Sequence, residues 1–146
     1  MLRGNYIATI DDKGRLKIPN DFRRRIEEKY GLEVYVTSLI GESVWIYPLL
    51  EWENIEQRLA ILPAMDKARR GFLDRTNYYG QQTVIDAQGR VLIHSLLRRS
   101  AGVVGEVAVL GNLNYLDVWE SEQFQRRLLS NPFTAEDEAA LARLGI

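Results

Sequence analysis

The spacing of apolar and polar positions along this chain changes period several times, and each change marks an element. Tyr6-Ile7-Ala8-Thr9-Ile10 reads as a strand, and Leu16-Lys17-Ile18 as another after a polar turn. Pro19 stops the second strand. Asn20 stands at the N-cap of a helix over about 21–30, with Phe22, Ile26 and Tyr30 at helical spacing and Gly31 in the C-cap place. The β-branched and aromatic runs 33–39 and 44–47, split by Gly41, predict a second hairpin. Pro48 opens a helix to about Leu62 on Leu49, Trp52, Ile55 and Leu59, and Pro63 closes it. Met65 to Arg75 reads as a basic connecting helix.

The pattern then repeats. Gln82 to Ile85 and Val91 to Ile93 are strands, Ser95 to Ala101 a helix ending at Gly102, and Glu106 to Leu110 and Tyr115 to Trp119 strands about a turn marked by Asn112 and Asn114. Ser121 stands where it would cap a helix over 122–129. The division expected is a first half at 1–62, a basic helical linker at 63–79, a second half at 80–129 and a C-terminal helical tail at 130–146, with Thr134-Ala135-Glu136-Asp137 capping the tail helix and Leu141 and Leu144 as its packing residues. This is an α+β pattern, an internal duplication of β-α-β-β-α units about 73 residues apart. A unit that small buries little by itself. The expectation is therefore one intertwined domain with pseudo-two-fold symmetry, the halves sharing strands and core.

One segment recurs with its chemistry intact. Ile10-Asp11-Asp12-Lys13-Gly14-Arg15-Leu16 returns as Ile85-Asp86-Ala87-Gln88-Gly89-Arg90-Val91, offset by 75 positions. Gly14 and Gly89 supply the positive φ of a tight loop, and Asp11 and Asp86 are placed to accept backbone amides inside it. Arg15 and Arg90 leave the turn almost opposite those carboxylates. A carboxylate there would hold the guanidinium in a fixed, forked orientation, with further donors left for an external anion. The alternative is that each pair only staples its hairpin.

Net charge, −1 over 146 residues, hides an uneven distribution. Residues 1–29 carry a balance of +3 and residues 66–100 of +4, whereas 30–65 hold −4 and the stretches 101–129 and 130–146 hold −2 each. Positive charge gathers around both copies of the motif, as expected of a protein offering one face to a polyanion. Arg3, Lys13 and Lys17 flank the first copy, while Gln88 and Leu92 stand at the places matching Lys13 and Lys17 in the second. The chain has no cysteine and only His94, which excludes disulfides, thiolate chemistry and Cys- or His-rich metal sites. No cofactor motif is present. An Arg beside each motif Asp depresses its pKa, the opposite of what a general base near neutral pH requires, and Asp-x-x-Gly-Arg is no phosphate-cradling loop. Catalysis is not expected. Nor is a signal segment or a membrane span, so the expected location is the cytoplasm.

The twin Asp-x-x-Gly-Arg segments, the two β-α-β-β-α units, the Trp-Ile-Tyr-Pro and Val-Trp-Glu strand ends and the basic linker together resemble the bacterial MraZ family, over about residues 1–129. Its halves are similar to the AbrB/SpoVT fold, a β-barrel of swapped hairpins. The resemblance implies a nucleoid-associated transcriptional repressor of the division and cell-wall gene cluster. It implies homo-oligomeric rings whose Asp-x-x-x-Arg loops, Asp11 to Arg15 and Asp86 to Arg90 here, bind short direct repeats of promoter DNA. The DNA-contacting set expected is Arg3, Lys13, Arg15, Lys17 and Arg90. Two departures stand out. His94 replaces the proline expected after the second motif strand, leaving the backbone there open, and residues 71–79 fit the family poorly, leaving Arg75 without a role. The competing expectation is an antitoxin-like protein-interaction module, since AbrB-type folds also neutralise toxins.

Overall fold

In the computed structural model, which describes all 146 residues, the two arms of each motif hairpin part company almost at once. β1 (Leu2–Ile10) and β2 (Arg15–Lys17) share a single residue pair, Ile10 with Leu16. β1 then runs antiparallel to β7 (Gly105–Leu113) of the second half over nine pairs, from Leu2↔Leu113 to Ile10↔Gly105. In the matching exchange, β5 (Gln81–Val84) lies against β3 (Glu33–Thr37). Two further pairings join the halves directly. β2 meets β6 (Arg90–Leu92) with Leu16 opposite Val91, and β4 (Val44–Pro48) meets β8 (Leu116–Trp119) with Trp45 opposite Asp117.

The resulting eight-stranded sheet has the order β5-β3-β4-β8-β7-β1-β2-β6. Its two ends are the arms of the second motif hairpin, so it curls into a nearly closed antiparallel barrel. Exchanging the halves maps this ring of strands onto itself, with the pseudo-axis passing between Leu16 and Val91 and between Trp45 and Asp117. The expected swapped-hairpin barrel is the observed α+β architecture.

The core explains why the exchange is stable. Of its 20 buried apolar residues, all but Leu2 and Val103 fall into pairs at equivalent positions: Ile10 with Ile85, Leu16 with Val91, Ile18 with Ile93, Phe22 with Leu97, Ile26 with Ala101, and likewise along β3/β7 and β4/β8. Both halves therefore contribute to one cluster, and neither has a core of its own.

Helix boundaries follow local chemistry, with some corrections. α1 (Asn20–Tyr30) is capped at Pro19 rather than Asn20, and no side chain closes its first turn. A proline there has φ already suited to helix entry and no N–H to satisfy. α2 (Leu49–Leu59) stops before Leu62, and α3 (Lys67–Tyr78) starts where the Asp66 carboxylate accepts the amide of Arg69. α4 (Ser95–Ala101) begins after His94, whose φ of −68° and ψ of 157° lie close to the −51° and 134° of Pro19. The histidine thus keeps the proline's backbone path, with its ring held by a 2.7 Å contact from Nε2 to the Tyr79 carbonyl. α5 (Ser121–Ser130) is capped by Glu120, not Ser121, because the longer carboxylate reaches the amides of both Glu122 and Gln123. α6 (Ala135–Ala142) carries the capping box between Thr134 and Asp137. Its expected packing is only partial: Leu141 is half-buried, but no residue of α6 is fully buried and Leu144 just beyond it is exposed.

Segment 63–79 is more than a tether. The Thr76 carbonyl accepts hydrogen bonds from Thr37 Oγ1 at 2.6 Å and Tyr35 Oη at 3.0 Å, while Phe72 stacks on Trp52, which in turn stacks on Tyr35. Arg75 folds back onto its own helix, donating to the Gly71 carbonyl. Tyr47 is buried and packs with Trp45 and Tyr115, while Trp119 is buried against Phe124, so these strand-end aromatics serve packing within the chain. No helix is long and apolar enough to cross a membrane.

Candidate nucleic-acid interface

Each motif loop is built by its aspartate. In the first, the Asp11 amide donates to the Arg15 carbonyl and the Gly14 amide to the Asp11 carbonyl, closing a tight turn in which Gly14 has φ +84°. Asp11 Oδ1 accepts the backbone amides of Lys13 and Arg15 at 3.0 and 2.9 Å, and Oδ2 accepts Arg15 Nε at 2.8 Å. The second loop repeats this bond for bond, with Asp86 Oδ1 accepting from Gln88 and Arg90 amides, both at 2.9 Å, and Oδ2 from Arg90 Nε at 3.2 Å.

The arginine is therefore gripped through Nε alone and not by a two-pronged contact. Both terminal amino groups of Arg15 remain free, whereas Arg90 Nη2 leans on Gln88 Oε1 at 3.4 Å. The loops share a backbone but differ in the donors they offer.

These bonds favour the ionised carboxylates. The backbone amide of Arg15 is the largest influence holding Asp11 below the usual carboxylate range, and the amide of Arg90 does the same for Asp86. A folded-state pKa below the unfolded one contributes stability that is present above the unfolded value and lost as pH falls through the folded one. The loops are accordingly expected to hold their geometry from neutral pH down past the ordinary aspartate range. Carboxyl NMR titrations should place both midpoints below 3.8; a midpoint at or above that value for either residue would contradict the hydrogen bonding described.

Pairing of β2 with β6 brings the two loops side by side. Ile18 donates to the Gly89 carbonyl and Ile93 to the Gly14 carbonyl, both at 2.9 Å. Each loop also carries an arginine from the other half. The Arg98 guanidinium of α4 lies directly over Gly14, and Arg23 of α1 lies over Gly89 with its Nη2 3.3 Å from the Ala87 carbonyl. Lys17 Nζ donates to the Gln88 carbonyl. Lys13, Arg15, Lys17, Arg23, Arg90 and Arg98 thus surround the paired loops, against the carboxylates Asp11, Asp12 and Asp86.

Arg23 and Arg98 were not among the residues expected, although the spacing held the signal: they are 75 positions apart, the offset of the motif itself. Arg24 and Arg25, their neighbours in sequence, are instead tied to Asp21. Arg3 is the expected residue that the structure does not bring to the loops. It pairs with Asn112 toward the far end of β1 from Ile10, a separation of roughly 23 Å along an extended strand.

The glycines therefore serve two purposes. Gly14→Ala and Gly31→Ala each force a side chain into positive φ, at a cost of about 1–3 kcal/mol. Only at Gly14 would the new Cβ also collide with a side chain, the Arg98 guanidinium, since nothing approaches Gly31 within 4 Å. Urea denaturation should show a loss for both variants, with weakened binding of duplex DNA confined to Gly14→Ala. Equal loss of binding in the two would remove the role given to this contact.

A repeated basic loop on a duplicated swapped-hairpin barrel agrees with what similarity to known proteins shows. The family model described as "MraZ protein, putative antitoxin-like" matches residues 1–75 and 80–144, one stretch in each half. The chain belongs to the MraZ family. It is similar to the transcriptional regulator MraZ of Acidobacterium capsulatum, 53% identical over 146 residues, and to that of Koribacter versatilis, 50% identical over 147, each alignment covering the whole of both chains. The transcriptional regulator MraZ of Caldicellulosiruptor saccharolyticus is 34% identical over 148 residues, again with full coverage of both. As an MraZ protein the chain is a transcriptional regulator and not an enzyme. The family model matches each half separately, as the internal duplication requires, while the full-length alignments span both halves that share the core.

Proposed function

We propose that this chain represses transcription by binding double-stranded DNA through the paired loops, reading short direct repeats in the promoter of the division and cell-wall gene cluster as a nucleoid-bound homo-oligomeric ring. The observation that carries this reading is Arg15: its Nε is fixed by Asp11 and both terminal amino groups are free. A guanidinium in that state is oriented in advance for a guanine edge or a phosphate. Lys13, Lys17, Arg23 and Arg98 supply the backbone-neutralising charge, and Arg90 is the second, weaker reader. One chain offers few such groups, so a ring presenting many loops gains affinity through effective concentration.

The test is a salt titration of binding to the protein's own upstream region and to random duplex. Contacts to about six phosphates per chain predict a loss of roughly 10³-fold in affinity between 50 and 200 mM salt, with the upstream region retaining its preference. Affinity that does not fall with salt would sink the DNA-binding reading and leave the antitoxin-like one.

A further inference from the structure

Two surfaces far apart in sequence remain uncovered, and they complement each other. The first is the turn from α2 into α3, where Ile61 and Met65 are 82% and 79% exposed beside Leu62, and where Lys67 and Arg70 have no acidic partner. The second is the tail, where Leu129, Phe133 and Leu144 are 83%, 66% and 74% exposed beside Glu136 and Glu138, neither of which is paired with a base. Each combines apolar side chains that gain by leaving water with a net charge: Lys67, Arg69 and Arg70 outnumber Asp66 at the turn, and Glu136, Asp137 and Glu138 outnumber Arg143 in the tail. Neither covers the other within the chain, since both are exposed.

We infer that the tail of one copy docks on the α2–α3 turn of the next, with Glu136 and Glu138 facing Lys67 and Arg70. Like patches are disfavoured as partners, since tail against tail brings two net-negative surfaces together and turn against turn two net-positive ones, whereas tail against turn joins opposite signs. A contact between two different surfaces is heterologous and propagates from copy to copy until rotation closes it. The inference rests on the oligomeric part of the proposed function and supplies the surface that builds it. The interface uses neither motif loop, which leaves both available to DNA in every subunit.

The experiment measures mass by light scattering at micromolar concentration, without DNA, for the full chain and three charge-reversed forms. The unaltered chain is expected to be larger than a dimer. Lys67→Glu/Arg70→Glu and Glu136→Lys/Glu138→Lys should each raise the subunit dissociation constant about tenfold or more and shift the mass toward the monomer, and combining all four substitutions should restore it. All four side chains are on the surface, so circular dichroism should show the fold unchanged. A monomeric unaltered chain would overturn the ring and this interface together. An oligomeric chain whose mass is unmoved by either reversal, or not restored by the combination, would overturn the interface alone. If the Lys67/Arg70 variant keeps its mass but loses affinity in a separate titration with duplex DNA, the interface is overturned and those cations belong to phosphate binding instead.

Discussion

Arg15→Ala is expected to abolish the preference for the upstream region over random duplex while leaving unfolding by urea nearly unchanged. The hydrogen bonding decides between a reader and a staple. Asp11 holds the turn mainly through the amides of Lys13 and Arg15, which alanine at position 15 retains, and the side-chain ion pair lost is 31% exposed on both partners. Pairs that exposed to water contribute little to folding. A guanidinium on a guanine edge is worth about 1–3 kcal/mol of discrimination per loop, and a ring multiplies it. Arg90→Ala should do less, because Arg90 has already lent a donor to Gln88. Asp11→Ala should do more to the fold than Arg15→Ala, since it removes three hydrogen bonds rather than one. The comparison requires denaturation and DNA titrations on all three variants. Arg15→Ala with full preference and intact fold would leave Arg15 as a staple.

Phe22→Ala is expected to have the largest effect on stability, about 3–5 kcal/mol, a large share of the roughly 5–15 kcal/mol that holds a typical domain. Phe22 is completely buried, meets the Tyr6 ring edge-on at 4.9 Å, and anchors the helix that lays Arg23 over the second loop. Because the core is shared, the loss should appear as one cooperative transition moved to lower urea, with the second half unfolding at the same point. Phe22→Leu, which installs the residue type found at the equivalent position 97, should cost less. Separate transitions for the two halves would contradict the shared core.

The loops were legible in the sequence because their geometry is local: Asp, Gly and Arg within five positions dictate the turn and its bonds. Strand exchange was legible only in outline. The β-prone run Tyr6 to Ile10 announces a strand, but the continuation of β1 back to Leu2 depends on β7 lying beside it for nine pairs, and no local pattern encodes that partner. The same blindness placed Arg3 among the loop cations by proximity in sequence, although an extended strand carries it away. Arg23 and Arg98 looked like ordinary helix surface because the loops they cover belong to the opposite half. Leu141 and Leu144 promised a packed tail; the helix formed on its capping box, but only Leu141 is partly covered and Leu144 stays exposed.

Where the pseudo-axis crosses β4 and β8, Trp45 faces Asp117, whose carboxyl burial pushes above its usual range. Two identical subunits could not make that pair, since any residue on their axis must face its own copy. Joining the halves in one chain released each from matching the other, so a lysine could be kept at position 13 while its counterpart became Gln88. The same freedom gives the surface proposed to face DNA a left and a right. A reader built this way has polarity, and the order in which bases are presented to it matters as much as which bases they are.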